Sequence, residues 1–213
     1  KINMDLLYPV CRSLQKLTLN TFSNFEVEGS ENVPPMGPLI IVSNHMSNID
    51  PSILSCSINR KLRFLAKDTL FRGFPLSQML YAYGAYPIRR GRPDIQAIKW
   101  ATHQIKNDAA LVVFPEGTRN KGEMIKGKIG TARLIQMTQS TILPVGITGT
   151  EHLQHILRVV KPKGDIKVNI GTPFSLPTID GEITKSLFES LTEIIMTRVA
   201  NLLPRGYKGV YDA

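Results

Sequence analysis

The chain has 213 residues and carries 26 Lys and Arg against 17 Asp and Glu, so its formal net charge is +9. A chain of this length suits one generous domain that needs no disulfide or metal to hold it together. The positive excess predicts an anionic partner, either a nucleic acid, a phosphorylated substrate or an anionic membrane surface. No apolar run reaches the ~18 residues that span a bilayer, and no signal-peptide pattern is visible.

Residues 1–22 are predicted to form an amphipathic N-terminal helix ahead of a domain at 23–213. Apolar residues recur at helical spacing on one stripe, at Leu6, Leu7, Val10, Cys11, Leu14 and Leu17. Arg12 and Lys16 fall elsewhere on the helix. A basic amphipathic helix can lie in a membrane interface, or it can pack its stripe on the domain, and the spacing leaves both readings open.

Strands and helices alternate through the rest of the chain. Strands are predicted at 25–28, 39–42, 62–66, 85–88, 109–114, 142–148 and 166–170. Helices are predicted at 51–59, 74–83, 94–106, 129–137 and 184–203, and the tail at 204–213 is expected to be irregular and mobile. This alternation predicts an α/β fold, with a central, largely parallel sheet flanked by helices.

Polar residues cluster directly after several of these strands. His45 and Asp50 follow one strand and Lys67 another, while Arg89 begins a basic run after a third and Glu116 follows a fourth. Ligands of open α/β sheets bind outside the carboxyl ends of the strands. We therefore expect these side chains to meet at one edge of the sheet.

The first of these positions has the composition of an acid–base pair. A neutral imidazole can take a proton from a hydroxyl, and a carboxylate on its other nitrogen fixes the tautomer and stabilises the imidazolium that forms. Asp50 and Pro51 also have the form of a helix start, with Asp50 as the N-cap, which is the structural alternative. No G-x-S-x-G nucleophile elbow occurs, which favours direct attack by a substrate hydroxyl, although Ser43 and Ser47 keep a covalent route open.

The remaining polar positions suit an anion. Gly117 lets the backbone approach a ligand closely, Thr118 and nearby amides can donate to phosphate oxygens, and Arg119 can bind them in a bidentate way. The alternatives are a surface turn here and a solvated charged face at 89–92. No nucleic-acid motif appears, so nucleic acid is a poor fit. His103, His152 and His155 lie in no metal-ligand pattern, so no metal site is expected.

Four blocks stand in order along the chain, namely Asn44–Pro51 with its H-x4-D pattern, Gly84–Arg90, Phe114–Arg119 with its E-G-T-R, and Leu143–Ile147. In this order they resemble the glycerolipid acyltransferase superfamily, specifically its bacterial 1-acylglycerol-3-phosphate acyltransferases. The resemblance implies that His45 is the general base and Asp50 its orienting partner. It implies a pocket for the phosphate of the acceptor lipid, built from Glu116, Gly117, Thr118, Arg119, Arg89 and Lys67. It also places Pro144 on the acyl-donor side.

The resemblance further implies an O-acyltransferase of phospholipid biosynthesis. The expected reaction moves an acyl group from the thioester of acyl-CoA or acyl carrier protein (acyl-ACP) to the sn-2 hydroxyl of 1-acylglycerol 3-phosphate, giving phosphatidic acid. No metal or other cofactor is expected. We expect the backbone amides of 44–47 to be the oxyanion donors. The expected location is peripheral, on the cytoplasmic face of an anionic membrane.

Two alternatives remain open. Within the same superfamily the acceptor is instead glycerol 3-phosphate, another lysophospholipid or a lyso-amino-acid lipid. Outside it, the chain is a non-catalytic basic module that binds membranes.

Overall fold

A computed structural model describes residues 4–89, 91, 94–153, 160–179 and 181–212, and for residues 4–7 it describes the backbone only. The strands are β1 Ser23–Glu28, β2 Leu39–Ser43, β3 Leu62–Lys67, β4 Ala85–Ile88, β5 Ala110–Val113, β6 Thr141–Thr148 and β7 Gly164–Ile170. The helices are α1 Met4–Phe22, α2 Asp50–Ser57, α3 Leu76–Ala82, α4 Ile95–Lys106, α5 Gly130–Thr138, α6 Lys185–Ala200 and α7 Arg205–Lys208. Short 3-10 turns lie at Ser30–Asn32, Asp68–Phe71 and Gly209–Tyr211.

The strands form one sheet in the order β1-β7-β6-β2-β5-β3-β4. From β6 to β4 every neighbouring pair is parallel, whereas β7 runs antiparallel to β6 and β1 runs parallel to β7. The predicted α/β fold with a largely parallel sheet is confirmed. The carboxyl ends of β2, β3, β4, β5 and β6 share one edge, which we call the site edge.

Two helical layers cover the sheet. Strand β2 shows how, because all five of its residues are buried and its side chains alternate between two cores. Leu39 and Ile41 face a core shared with α2, and Ile40 and Val42 face a core shared with α4, α5 and α6. The continuous apolar run in the sequence is thus the signature of a strand buried on both faces.

Helix α1 packs on the first layer with a face that the apolar stripe did not predict. Tyr8 and Leu19 are buried, and the Tyr8 hydroxyl accepts a hydrogen bond from the Leu62 amide. The stripe residues Val10, Leu14 and Leu17 are instead 62%, 61% and 63% exposed. The reading in which these three side chains pack on the domain is therefore wrong. Among the described residues, no helix is both long and apolar enough to span a bilayer.

The tail differs from the irregular segment that the sequence predicted. It forms α7 and a 3-10 turn, and it brackets Met124, whose amide donates to the Tyr207 carbonyl while its own carbonyl accepts from the Val210 amide. The Tyr211 hydroxyl accepts from the Gly127 amide at 2.9 Å. These contacts order the tail and hold the 120–127 loop against the body of the domain.

Candidate active site

The site edge brings together the residues that follow four neighbouring strands. Val42 pairs with Val113 across β2 and β5, so the chain leaves these strands side by side and His45 comes to lie next to Glu116. Lys67 pairs with Ile88 across β3 and β4, which places Lys67 beside Arg89 at the same edge. The expectation that these positions share one edge is confirmed.

His45 and Asp50 face one another. The His45 Nδ1 lies 2.8 Å from Asp50 Oδ2, with the His45 side chain 11% exposed and the Asp50 side chain fully buried. Because Asp50 Oδ2 acts as an acceptor, Nδ1 is the nitrogen that donates, and in the neutral imidazole Nε2 then carries the lone pair. Nε2 is thus the nitrogen available to a substrate hydroxyl.

The Asp50 carboxylate is held by four hydrogen bonds. Oδ2 also accepts from the amides of Met46 and Ser47, each at 2.8 Å, and Oδ1 accepts from the Thr150 hydroxyl at 2.8 Å. Asp50 is the first residue of α2 and Ile49 is its N-cap, so the predicted capping role of Asp50 is wrong. Its carboxylate turns back onto the preceding loop and fixes the histidine.

Three of the backbone amides that we expected to stabilise an oxyanion are already engaged in hydrogen bonds to carboxylates. The amides of Met46 and Ser47 donate to Asp50, and the amide of His45 donates to Glu116 Oε1 at 3.0 Å. That assignment is therefore wrong for residues 45–47, because their N–H groups already serve buried carboxylates.

The imidazole is oriented by packing as well as by hydrogen bonding. Its ring stacks on Phe114, with 4.1 Å between centroids and 19° between planes. The buried Asn44 side chain donates to the Ile147 carbonyl at 2.9 Å and accepts from the Ile147 amide at 2.8 Å. These two hydrogen bonds join the end of β2 to β6 and so fix the position at which the loop that carries His45 begins.

Glu116 is turned into the protein. It is 1% exposed, and its two oxygens accept from the Asn120 side chain and from the amides of His45 and Ile125. Burial raises the pKa of Glu116, and these donors partly offset that rise. The backbone N–H of Asn120 in turn donates to the His45 carbonyl at 2.7 Å. The 116–120 loop is thereby joined to both sides of His45.

The next residues of this loop face solvent. Thr118 and Arg119 are exposed, and Arg119 directly precedes the residue that bonds to His45. Gly117 has a φ of +69°, a left-handed conformation that favours glycine. The loop therefore exposes Arg119 one residue before its backbone contact with His45.

Lys67 and Arg89 are exposed at the same edge. The Arg89 amide donates to Asp94 Oδ2 at 2.9 Å, and Asp94 Oδ1 caps α4 by accepting from the Ala97 amide at 3.1 Å. Hydrogen bonds from the Arg89 and Ala97 amides hold the pKa of Asp94 below its ordinary value. Arg90, Arg92 and His155, which the sequence analysis singled out, lie outside the described residues.

Pro144 lies within β6 and is buried. Its carbonyl accepts from the Gly171 amide at 2.9 Å, and it pairs with Val42. Its place on the acyl-donor side stays a prediction.

Ser43 and Ser47 are both fully buried, and the Ser47 hydroxyl donates to the Leu153 carbonyl at 2.5 Å. Neither hydroxyl is presented to a substrate, so the direct route is the better fit. The described part of the chain holds no group of three or more His, Cys, Asp or Glu that could bind a metal ion. That the protein uses no metal stays a prediction.

Sequence reasoning missed Thr150 and Asn120. Thr150 is 100 residues from its partner Asp50, and only its position just after β6, the neighbour of β2, connects the two in sequence. Asn120 follows the E-G-T-R block directly, so it could have been included with that block.

The carboxyl ends of a largely parallel α/β sheet thus hold a buried carboxylate paired with an oriented imidazole. A family model described as Acyltransferase matches residues 24–148, which is more than half of the chain. The chain therefore belongs to the acyltransferase family and is an enzyme of the acyl-transferring class.

Individual relatives agree with this assignment. The chain is 24% identical over 197 residues to a 1-acyl-sn-glycerol-3-phosphate acyltransferase of Bacillus subtilis, covering 92% of this chain and 96% of that protein. It is 28% identical over 178 residues to one of Streptococcus pneumoniae, covering 82% of this chain and 65% of that protein. The crystal structure of the 1-acyl-sn-glycerophosphate (LPA) acyltransferase PlsC from Thermotoga maritima matches with a TM-score of 0.70 and 27% identity, over 91% of this chain and 79% of that chain.

Proposed function

We propose that this enzyme transfers an acyl group from a thioester to the sn-2 hydroxyl of 1-acylglycerol 3-phosphate and so makes phosphatidic acid. The observation that carries the proposal is the buried His45–Asp50 pair, 2.8 Å apart, beside a loop that presents Arg119. Relatives in two bacterial species carry the name of this activity.

The proposed step begins with the acceptor hydroxyl against His45 Nε2. Nε2 takes the hydroxyl proton as the oxygen bonds to the thioester carbonyl carbon, and Asp50 stabilises the imidazolium. The tetrahedral intermediate then expels the thiolate, which the imidazolium protonates to the free thiol, and His45 returns to its neutral form. Each bond that forms has a matching bond that breaks, so the step needs no resident cofactor, and the donor is acyl-CoA or acyl-ACP.

The phosphate of the acceptor lies against the cations of the site edge in this proposal. Arg119 binds it, with Thr118 and the Gly117 backbone beside it, and Lys67 and Arg89 add positive charge. Glu116 takes a different part from the one the resemblance implies. Its carboxylate is buried and occupied by protein donors, so it positions the loop and His45 and does not touch the phosphate.

A lipid acceptor requires the enzyme to work at a membrane surface. The outward row Val10, Leu14 and Leu17 on α1 supplies an apolar contact, and the net charge of +9 suits an anionic leaflet. We therefore propose a peripheral location on the cytoplasmic face.

The test is thiol release measured over a matrix of acyl donors and acceptors, with the lipid product identified by mass spectrometry. The proposal expects release that depends on lysophosphatidic acid and yields phosphatidic acid. Faster release with glycerol 3-phosphate or another lysolipid would assign a different acceptor. Vesicle binding without release, for every donor and acceptor, would mean a non-catalytic module.

A further inference from the structure

Large apolar side chains are exposed on the segment that joins β3 to β4. Leu70 is 42% exposed, Phe74 is 86% exposed and Met79 is 54% exposed. Scattered apolar residues on a surface are ordinary, but three within ten residues, one of them a nearly bare phenylalanine, indicate a contact surface. We call residues 68–79 the apolar segment.

The sheet topology places the start of this segment beside the active site. Strand β3 ends at the site edge, and β4 is parallel to it, so the chain must return to the opposite edge before β4 begins. Helix α3 makes that return, and residues 68–75 therefore lie at the site edge.

The same segment adjoins the N-terminal helix. Tyr83, just after α3, contacts Tyr8 of α1 with 5.4 Å between ring centroids. Leu80 packs into the first core while Met79 is exposed, so the outer side of α3 belongs to the same helical layer as α1. That helical layer therefore exposes apolar side chains on two adjacent helices, α1 and α3.

The charges of the segment favour an anionic surface. Lys67 and Arg72 are exposed on either side of the 3-10 turn, and Asp68 is the only acidic residue between positions 60 and 85. Apolar side chains flanked by cations are the composition that binds at the headgroup boundary of an anionic bilayer.

We infer that the apolar segment inserts Phe74 and its neighbours into the headgroup region of an anionic lipid bilayer. The inference deepens the proposed function, because it gives the active-site edge its own membrane contact in addition to that of α1. The acceptor lipid then reaches His45 without leaving the surface of the membrane.

The test compares Phe74→Ser with Met36→Ser. Met36 is 72% exposed, precedes β2 and so lies at the opposite edge of the sheet, which makes it a matched control. Partition to vesicles of phosphatidylcholine with phosphatidylglycerol is measured by sedimentation. Phe74→Ser is expected to weaken partition ~10–100-fold, the range for withdrawing a buried phenylalanine. Met36→Ser is expected to bind as the unmodified chain does, and an equal effect of both variants would overturn the inference.

Turnover is measured in parallel with two lysophosphatidic acids. One is long-chain and embedded in the vesicles, and the other is short-chain and monomeric in solution. Phe74→Ser is expected to lose turnover with the first and keep it with the second. Unchanged partition of Phe74→Ser to vesicles would overturn the inference. So would a variant that loses binding to acyl carrier protein but not to vesicles, because the segment would then contact a protein partner. If the unmodified chain turns over no lysolipid, the proposed function fails while the partition result still decides this inference.

A separate observation concerns Lys128. A β-carbon at position 117 would lie 2.8 Å from the Lys128 Nζ and 3.1 Å from its Cδ and Cε. The lysine side chain therefore lies across Gly117, in space that only a glycine leaves open. The Lys128 amide donates to the Pro115 carbonyl at 2.9 Å, which fixes the base of the side chain beside this loop.

The geometry points to Lys128 as a second cation for the acceptor phosphate, together with Arg119 on the same loop. Lys128 is exposed, and the ion pairs among the described residues do not include it. An ammonium over Gly117 and a guanidinium two residues further on can contact one phosphate from two directions. This assignment also rests on the proposed function.

Lys128→Ala is compared with Lys126→Ala, which removes an exposed cation two residues away. Lys128→Ala is expected to raise KM for lysophosphatidic acid ~10-fold with little change in kcat, because it removes one charge-assisted contact, and Lys128→Arg is expected to recover part of this. Monoacylglycerol, which lacks the phosphate, should show no such change. An equal effect on both acceptors, or no difference from Lys126→Ala, would overturn the role. If Arg119→Ala also changes KM equally for acceptors with and without the phosphate, the proposed phosphate pocket itself fails.

Discussion

Replacing Asp50 by Asn removes the charge of the acid–base pair while keeping its shape. The amide oxygen can take the Oδ2 position and accept from His45, Met46 and Ser47, and the amide nitrogen can donate to the Thr150 hydroxyl. Asp50→Ala would instead leave these buried groups without a partner and would confuse a catalytic loss with unfolding. Asn is therefore the sharper perturbation.

The expected loss follows from the distance between the two groups. At the observed 2.8 Å, a pair of unit charges attracts by ~6 kcal/mol at an effective dielectric constant of ~20. If the imidazole carries about half a charge in the transition state, ~3 kcal/mol of stabilisation is lost, which is about 10²-fold in kcat.

The assay is thiol release from acyl-CoA with saturating lysophosphatidic acid. Asp165→Asn, which removes an exposed carboxylate from β7, is the control for a change of net charge. Circular dichroism and the urea midpoint establish that both variants are folded. A folded Asp50→Asn enzyme with kcat within threefold of the unmodified enzyme would refute the electrostatic reasoning, whose estimate is about 10²-fold.

Three further predictions concern the surrounding loops. Arg119→Ala is expected to raise KM for lysophosphatidic acid but not for an acceptor without phosphate, and an equal rise for both would rule out the clamp. Glu116→Gln puts an amide nitrogen against the N–H donors of His45, Asn120 or Ile125, so urea titration should show a free energy of unfolding lower by ~1–3 kcal/mol. Asp94→Ala removes the cap of α4 and should cost ~0.5–2 kcal/mol at neutral pH. The pKa of Asp94 is depressed in the folded state. The contribution of Asp94 to stability is therefore present above the ordinary carboxyl pKa of ~3.9 and is lost as the pH falls through the depressed value. The difference in urea midpoint between the unmodified chain and Asp94→Ala should accordingly become smaller in acid.

The strands and helices could be predicted because their apolar patterns have direct physical causes. A strand buried on both faces, such as β2, must be continuously apolar, and a helix that covers one face must repeat every three to four residues. The common edge of His45, Lys67, Arg89 and Glu116 followed from parallel pairing alone.

What the sequence did not predict depends on contacts between distant residues. The helical pattern of α1 identifies an apolar row at Val10, Leu14 and Leu17, but it does not say whether that row meets protein or faces outward. Asp50 has the local form of an N-cap, yet its carboxylate binds the preceding loop and Thr150. The tail is ordered by Met124, about 80 residues earlier, so its own composition carries no sign of its structure.

The most direct measurement is the single-turnover rate of acyl transfer to lysophosphatidic acid by His45→Ala. Nε2 is the only group to which the mechanism assigns the hydroxyl proton, so the rate is predicted to fall ~10²–10⁴-fold with the urea midpoint close to that of the unmodified enzyme. A folded variant that transfers the acyl group within a few fold of the unmodified rate would contradict the account.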